Sequence, residues 1–239
     1  MAIKKKKKLR EGQSKIVYET EAPEQLVLAF KDEIPGTNGT KGGVIENRGV
    51  INNRISTLLF RYVESYNIPT HFFSSGGKDA MIVRPLEMIR FSVRVHSIAS
   101  AAVARRLGVK EGTPLEKILI EYHRKEEGKK EALVSREELP ASSLVTADEL
   151  AQIDRYAAKV NAVLKSFFTR RGLSLFSVSL AFGRYKNRIC LGDELSFENF
   201  VLQDAKTGEK YDFDRLRDDL KTYQSHYEHL SRRILLESQ

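Results

Sequence analysis

The chain has 239 residues, 41% of them hydrophobic and 30% charged, which fits one large or two small globular domains with a real core and excludes a disordered polymer. No apolar run is long enough to span a bilayer, no signal-peptide pattern is present, and the single cysteine, Cys190, excludes an internal disulfide framework; a reducing cytoplasm is the expected setting. The formal net charge is +8, yet Lys4 to Lys8 carry five of those charges and leave +3 for the rest, so without zinc spacing or an aromatic–basic signature nucleic acid is not an expected partner.

In chain order, residues 1–8 are expected to be a disordered, solvated basic arm. Gly12-Gln13-Ser14-Lys15 reads as a turn opening into a strand at Ile16 to Tyr18, with Leu26 to Phe30 as the next strand. Such a hairpin can lie over nucleotide phosphates, with backbone N–H groups and Lys15 as donors. Lys31 to Gly39 is loop by composition. Val50, Ile51, Ile55, Leu58, Leu59, Tyr62 and Val63 recur at helical spacing, predicting a helix over roughly 49–66 that ends at Asn67-Ile68-Pro69.

A hairpin is expected from His71–Phe73 to Ala80–Val83, followed by a connector, Arg84 to Met88. Phe91, Val93 and Val95 alternate with Ser92, Arg94 and His96, the pattern of a half-exposed strand whose polar face carries Arg94 and His96 together. A histidine beside an arginine suits anion binding; a structural histidine is the alternative reading. Ile98 to Leu107 reads as a small-residue helix capped by Gly108. Leu115 to Tyr122 is a strand, after which His123, Arg124, Lys125, Glu126 and Glu127 form a polar cluster, and Ser135 to Ser143 is loop.

Thr146-Ala147-Asp148-Glu149 is a capping box opening the strongest helix, whose apolar face runs from Leu150 to Phe168 and which closes at Arg170-Arg171-Gly172. Gly172 to Asp204 then reads as strand, turn, strand, acidic turn, strand. Cys190 sits in its apolar return strand as a buried spectator, and Gly192-Asp193-Glu194 follows. A glycine before two carboxylates at a strand end is a place for Mg²⁺ and nucleotide phosphate, or simply a charged surface turn. A last helix runs to about Leu236, with His226 and His229 read as surface histidines. Strands and helices without regular βαβ alternation give an α+β chain with mainly antiparallel sheets. The expected lobes are 9–85 and 86–239, with a cleft collecting the Gly12 hairpin, the Arg94–His96 strand, the Lys125 cluster and Asp193.

These pieces resemble the SAICAR synthetase family over nearly the whole chain from Leu9. The matching stretches are Gly12 to Tyr18 against the family's Gly-Lys-Ala-Lys strand start, Phe30 to Asn53, Ile68-Pro69-Thr70, Arg105 to Gly108, the long helix into Gly172-Leu173, Phe182-Gly183 and Leu191 to Glu194. The resemblance implies a two-lobed α+β fold with an ATP-grasp or kinase-like N-terminal lobe, and ligation of aspartate to a carboxylated aminoimidazole ribonucleotide with ATP and Mg²⁺. It also marks departures. The first hairpin lysine of the family is Gln13 here; its Val-Arg-Asn-x-Ala-Ala-Gly-Ser motif falls without gaps on Val95 to Ala102, with His96 at the arginine and Ser97 at the asparagine. Its Asp-x-Lys-x-Glu becomes Ser177, Ser179 and Ala181, its Ser-Pro-Asp becomes Ser196-Phe197-Glu198, and a later arginine becomes Val201.

The resemblance therefore implies nucleotide binding by Gly12, Gln13, Ser14, Lys15, Arg84 and Asp193, and substrate binding by Asn38, Arg94, His96, Ser97, Ser100, Ser177 and Ser179. His96, Lys125 and Asp193 are the expected catalytic residues. Asp193 is a weakened metal ligand, because the glutamate that would help it hold Mg²⁺ is Ala181. The expected function is a repurposed family member acting on a phosphoribosyl imidazole or purine-like nucleotide, of the kind associated with pentostatin- or coformycin-type nucleosides. Two alternatives stand beside it: an ordinary ligase whose Arg184, Glu194 and Glu198 replace lost charges, and a non-catalytic nucleotide-binding subunit. A homo-oligomer or a partner enzyme is compatible with each, and a membrane is not.

Overall fold

A computed structural model describes residues 4–36, 42–124, 131–213, 216 and 219–235. The first sheet is built from β1 (Lys8–Glu11), β2 (Lys15–Glu19) and β3 (Leu26–Phe30). A small pair, β4 (Glu33–Ile34) and β5 (Gly43–Val44), precedes helix α1 (Arg48–Glu64), and β6 (Phe72–Ser75) and β7 (Ala80–Val83) return to the first sheet, giving the antiparallel order β1-β2-β3-β7-β6. The second sheet takes β8 (Glu87–Ile98), β9 (Pro114–Arg124) and β10 (Ala132–Val134), with α2 (Ala101–Leu107) between β8 and β9. After α3 (Glu138–Ala141) and α4 (Ala147–Thr169) come β11 (Leu173–Tyr185), β12 (Arg188–Gly192), β13 (Phe200–Asp204), β14 (Lys210–Asp212) and α5 (Leu220–Leu235). The order is β10-β9-β8-β11-β13-β14, with β12 on β11. This is the expected α+β class with antiparallel sheets.

The periodicities explain the layers. Val93 and Val95 of β8 and Val178 and Leu180 of β11 are fully buried in one core with Ile153, Val160 and Leu164 of α4. Thr146 caps α4 with the reciprocal Glu149 bonds expected of a capping box. That core is continuous with Leu28, Leu59 and Met81 of the N-terminal half, so the two sheets share one apolar interior. The C-terminal segment closes it with a ring cluster of Phe197, Phe213, Tyr223 and Tyr227.

Four expectations need correction. The lysine arm is not free over its described part: the Lys6 amide donates to the Glu19 carbonyl at 2.8 Å, the Glu19 amide donates to Lys7, and Lys5 lies over the Tyr18 ring. Extended backbone beside an open strand finds ladder partners even where every side chain is charged. Ile98 belongs to β8, and the helix begins only after Ser100. The strand expected to stop at Tyr122 runs to Arg124, taking His123 into the sheet. The 135–143 loop contains the single turn α3.

The halves are joined where the chain crosses between sheets. Residues 69–71 lie along β12 through a parallel bridge, with the His71 amide donating to Leu191 and the Leu191 amide donating to Pro69, each at 2.9 Å. The following connector packs Leu86 against the backbone of Gly183 and Gly192, where a Cβ would come within 3 Å of it.

Candidate active site

Two groups of polar residues meet on this frame. The first is the β1–β2 hairpin facing the turn after β12. Lys15 Nζ is 2.6 Å from Asp193 Oδ1 and 2.8 Å from Glu194 Oε1, and Ser14 Oγ donates to the same Glu194 oxygen. Burial disfavours the charge on Lys15, but the two carboxylates outweigh it and hold the ammonium well above its ordinary pKa. Asp193 has φ 66°, a left-handed conformation that turns the chain sharply just after Gly192. Glu194 is 7% exposed, and its second oxygen has no partner.

The turn is held from below by one stripe of α1 at positions 48, 52 and 56, spaced to face the same way. Arg48 donates to Glu198 through Nε (2.9 Å) and Nη2 (2.6 Å), Asn52 accepts from the Tyr227 hydroxyl, and Ser56 Oγ donates to the Leu195 carbonyl at 3.2 Å. Tyr223 adds a 2.7 Å bond to Glu198. Glu198 is thus committed to a buried structural pair, and Arg184 is clamped by Glu149, Glu87 and the Leu144 carbonyl. Neither is free to replace a lost catalytic charge.

The second group lies on one face of the second sheet. Directly opposed residues of an antiparallel ladder project to the same side, and side chains alternate along each strand. The register pairs Ser177 with His96, Ser179 with Arg94 and Ala181 with Ser92; β9 adds Glu121 opposite Arg94 and His123 opposite Ser92. Ser92, Arg94, His96, Glu121, His123, Ser177 and Ser179 therefore share a face, while their apolar neighbours point to α4. Ala181 is also opposite Gly192, so the Asp193 turn begins one residue beyond this face. The two groups are contiguous.

Most expected site residues come together here: Gly12, Gln13, Ser14, Lys15 and Asp193 at the hairpin, and Arg94, His96, Ser177 and Ser179 on the sheet. Arg94 forms no ion pair among the described residues, and β11 offers the face only neutral groups. Three other expectations change. Ser97 points the opposite way and exchanges hydrogen bonds with Asn161 of α4, at 2.9 and 3.1 Å, because strand alternation puts it on the core side. Ser100 is the N-cap of α2, its Oγ accepting from the Val103 amide. Arg84 donates to the Phe72 and Thr70 carbonyls and lies over Phe73, so its guanidinium anchors the joint between sheets. Asn38 and Lys125 lie outside the described residues.

Sequence reasoning missed Glu121, His123, His71 and the depth of Glu194. Glu121 and His123 are two apart in the sequence, the spacing of one strand face, and ending the strand at Tyr122 hid that signal. Glu121 faces three basic side chains: His96 Nε2 lies 3.0 Å from its Oε2, Arg106 donates to Oε1, and His123 Nε2 stands 3.4 Å from Oε2 without hydrogen-bonding it. The neighbouring His123 and His96 imidazoles and the Arg106 guanidinium hold its carboxyl far below the usual range. Buried His71 sits beside Asp193, Lys15 and Arg84, and burial pushes its pKa down to about 4. Cys190 is buried on β12, and burial raises its thiol pKa. Among the described residues no three His, Cys, Asp or Glu side chains gather as a metal ligand set, so Mg²⁺ held by Asp193 would complete its shell with water or the oxygens of a bound nucleotide.

Comparison with known proteins accounts for this arrangement. The SAICAR synthetase family profile matches residues 8–234. Phosphoribosylaminoimidazole-succinocarboxamide synthase of Clostridium kluyveri is 35% identical over 232 residues, covering 97% of this chain and 99% of its own; that of Chlorobium chlorochromatii is 37% identical, covering 98% and 99%. Among solved structures, the same synthase of Ehrlichia chaffeensis aligns with TM-score 0.89 at 28% identity over 98% of this chain and all of that one, and a SAICAR synthetase in complex with ADP aligns with TM-score 0.88 at 28% identity, covering 96% and 98%. The hairpin–turn pair and the polar sheet face are thus carried on a scaffold shared from end to end, and the chain belongs to the SAICAR synthetase family of enzymes.

Proposed function

We propose that the chain binds a phosphoribosyl imidazole or purine-like nucleotide across the contiguous hairpin and sheet face, and acts on it by chemistry altered from that named for its relatives. The observation that carries this is the composition of the face. Arg94 and His96 supply cationic or proton-exchanging groups, while Ser177, Ser179 and Ala181 leave the β11 part of this face without a charge, next to a turn that keeps Lys15 and Asp193. Arg94 would take substrate phosphate, as a fixed bidentate donor does. His96 would take phosphate or exchange a proton with the substrate. A relative at 28% identity forms a complex with ADP, which supports nucleotide binding by this chain. ATP-driven ligation depends on cations over the transferred phosphoryl group and on hard oxygen ligands for Mg²⁺. With Gln13 and Ala181 in the chain, both are reduced, and synthesis of a modified purine nucleoside of the pentostatin or coformycin type is the reading that fits.

The test is direct. Purified protein given ATP, Mg²⁺, aspartate and carboxylated aminoimidazole ribonucleotide is expected to release negligible ADP, while calorimetry detects binding of the imidazole ribonucleotide. A second reading is the ordinary aspartate ligase. It is favoured by identities of 35–37% over nearly the full length to proteins bearing that name, and by the retained Lys15–Asp193–Glu194 contact. Sustained, aspartate-dependent ADP release would establish it and remove the first.

A further inference from the structure

The mechanism above uses His96 but not the carboxylate beneath it. We propose that Glu121 positions His96 as a base, fixing its ring as the Nε2–H tautomer and leaving Nδ1 as the lone pair that accepts a proton from the substrate. The inference rests on the reading that this sheet face holds the substrate.

The geometry supplies the reasoning. Glu121 is enclosed, with its side chain 10% exposed, and Arg106 donates to Oε1 from α2. Its other oxygen faces His96 Nε2 at 3.0 Å and His123 Nε2 at 3.4 Å. An ionised carboxylate can only accept hydrogen bonds, so the ring nitrogen facing it must carry the hydrogen. In neutral His96 that leaves Nδ1 bare. Nδ1 is buried and has no partner, and Ser92 Oγ, on the same face four residues earlier in β8, is in the same condition. A buried polar atom without a partner is destabilising, and a ligand N–H or O–H would remove that cost. Three such atoms on one face, with His123 Nε2 as the third, beside an arginine with no described ion pair, point to a ligand rather than to a packing fault.

Among the described residues, the charged or titratable groups around His96 are Arg94 on its own strand, Glu121 and His123 on β9, and Arg106 on α2, while β11 brings only Ser177, Ser179 and Ala181 to this face. The proposed step conserves atoms and electrons. A substrate N–H or O–H bond breaks, its proton moves to Nδ1, and the electron pair stays on the substrate atom. The imidazolium so formed is held by Glu121, and the same proton returns from Nδ1 to the product. Arg106 keeps the carboxylate from rotating away. Carboxylate, imidazole and reacting atom in line is a recurrent catalytic arrangement.

The test labels the full-length chain with ¹⁵N-histidine and reads ring tautomers by two-bond ¹H–¹⁵N correlation at mildly alkaline pH. Neutral His96 is expected with its hydrogen on Nε2. Glu121→Gln, whose amide can donate as well as accept, should abolish that preference, while the His71 signal reports that the fold is intact. A wild-type His96 ring protonated on Nδ1 overturns the proposal even if the variant does not fold. So does a Glu121→Gln protein that folds and keeps the wild-type tautomer. Adding aminoimidazole carboxamide ribonucleotide as the probe should move the His96 Nδ1 resonance. If the probe binds and Nδ1 does not respond, His96 is not the base. If the probe does not bind at all, the reading of the face as a substrate site fails, while the tautomer result still stands on its own.

Discussion

Lys15 carries one charge against two carboxylates, and that imbalance decides what its loss would do. Removing a partner from a buried pair leaves an uncompensated charge, at a typical cost of 3–5 kcal/mol. Lys15→Met should therefore lower the unfolding free energy by about 3 kcal/mol in urea titrations, although the side chain is only replaced by one of similar length. Combining it with Glu194→Gln should restore part of that loss, with a coupling of roughly 1–2 kcal/mol, because the second change removes the stranded charge. Strictly additive losses would mean that the hairpin and turn do not feel each other. The same residue-level accounting separates readable from unreadable roles. Gly12 to Lys15 and Asp193 were legible because a turn before a strand and acids after a strand are local patterns. Arg84, Ser97 and Ser100 were not, because their partners are a carbonyl across a bulge, an asparagine on α4 and an amide three residues on. A polar residue's type advertises what it can bond, not which bond the fold gives it.

Elements were legible where one period ran unbroken. The 23-residue α4 shows its apolar stripe and its capping box in the sequence and appears as read. The sheet face was half legible: alternation in β8 put Arg94 and His96 together, but only the register across β9 and β11 adds Glu121, His123, Ser177 and Ser179. Register is set by pairing between distant segments, which no local pattern contains. The joint between the sheets follows the same logic. At Gly183 an added Cβ would lie 2.8 Å from Leu86 Cβ and 2.9 Å from the Glu87 carbonyl, both on backbone or next to it. At Gly192 the nearest atom, at 2.7 Å, is the end of the Leu86 side chain, which can rotate. Overpacking of this kind costs about 1–3 kcal/mol. Gly183→Ala should fall at the upper end of that range and Gly192→Ala at the lower, as measured by chemical denaturation; the reverse order would place the rigid part of the joint elsewhere.

For the whole molecule, the decisive feature is that the two sheets are stitched together over a buried histidine. His71 lies on the segment bonded to β12, 4% exposed, with Nε2 unpartnered and Asp193, Lys15 and Arg84 around it. Burial holds it neutral in the fold, with its pKa down at about 4 against 6.5 for a free side chain. Between those values the unfolded chain binds a proton that the folded chain refuses, so acid favours unfolding. The stability it protects is present above pH 6.5 and is lost as pH falls toward 4. At 1.36 kcal/mol per pKa unit the full loss is about 3 kcal/mol, most of it above pH 4.5. That upper window matters, because paired carboxylates such as Glu149, held at about 2 by Arg184, lose their contribution only once pH drops below the ordinary carboxylate range. Unfolding free energies of wild type and His71→Gln between pH 7 and 4.5 should therefore diverge, the variant losing about 2 kcal/mol less across the interval. Parallel curves would mean that His71 takes up its proton in the folded chain, and that the joint between the sheets opens to water around a residue that is 4% exposed in the structure.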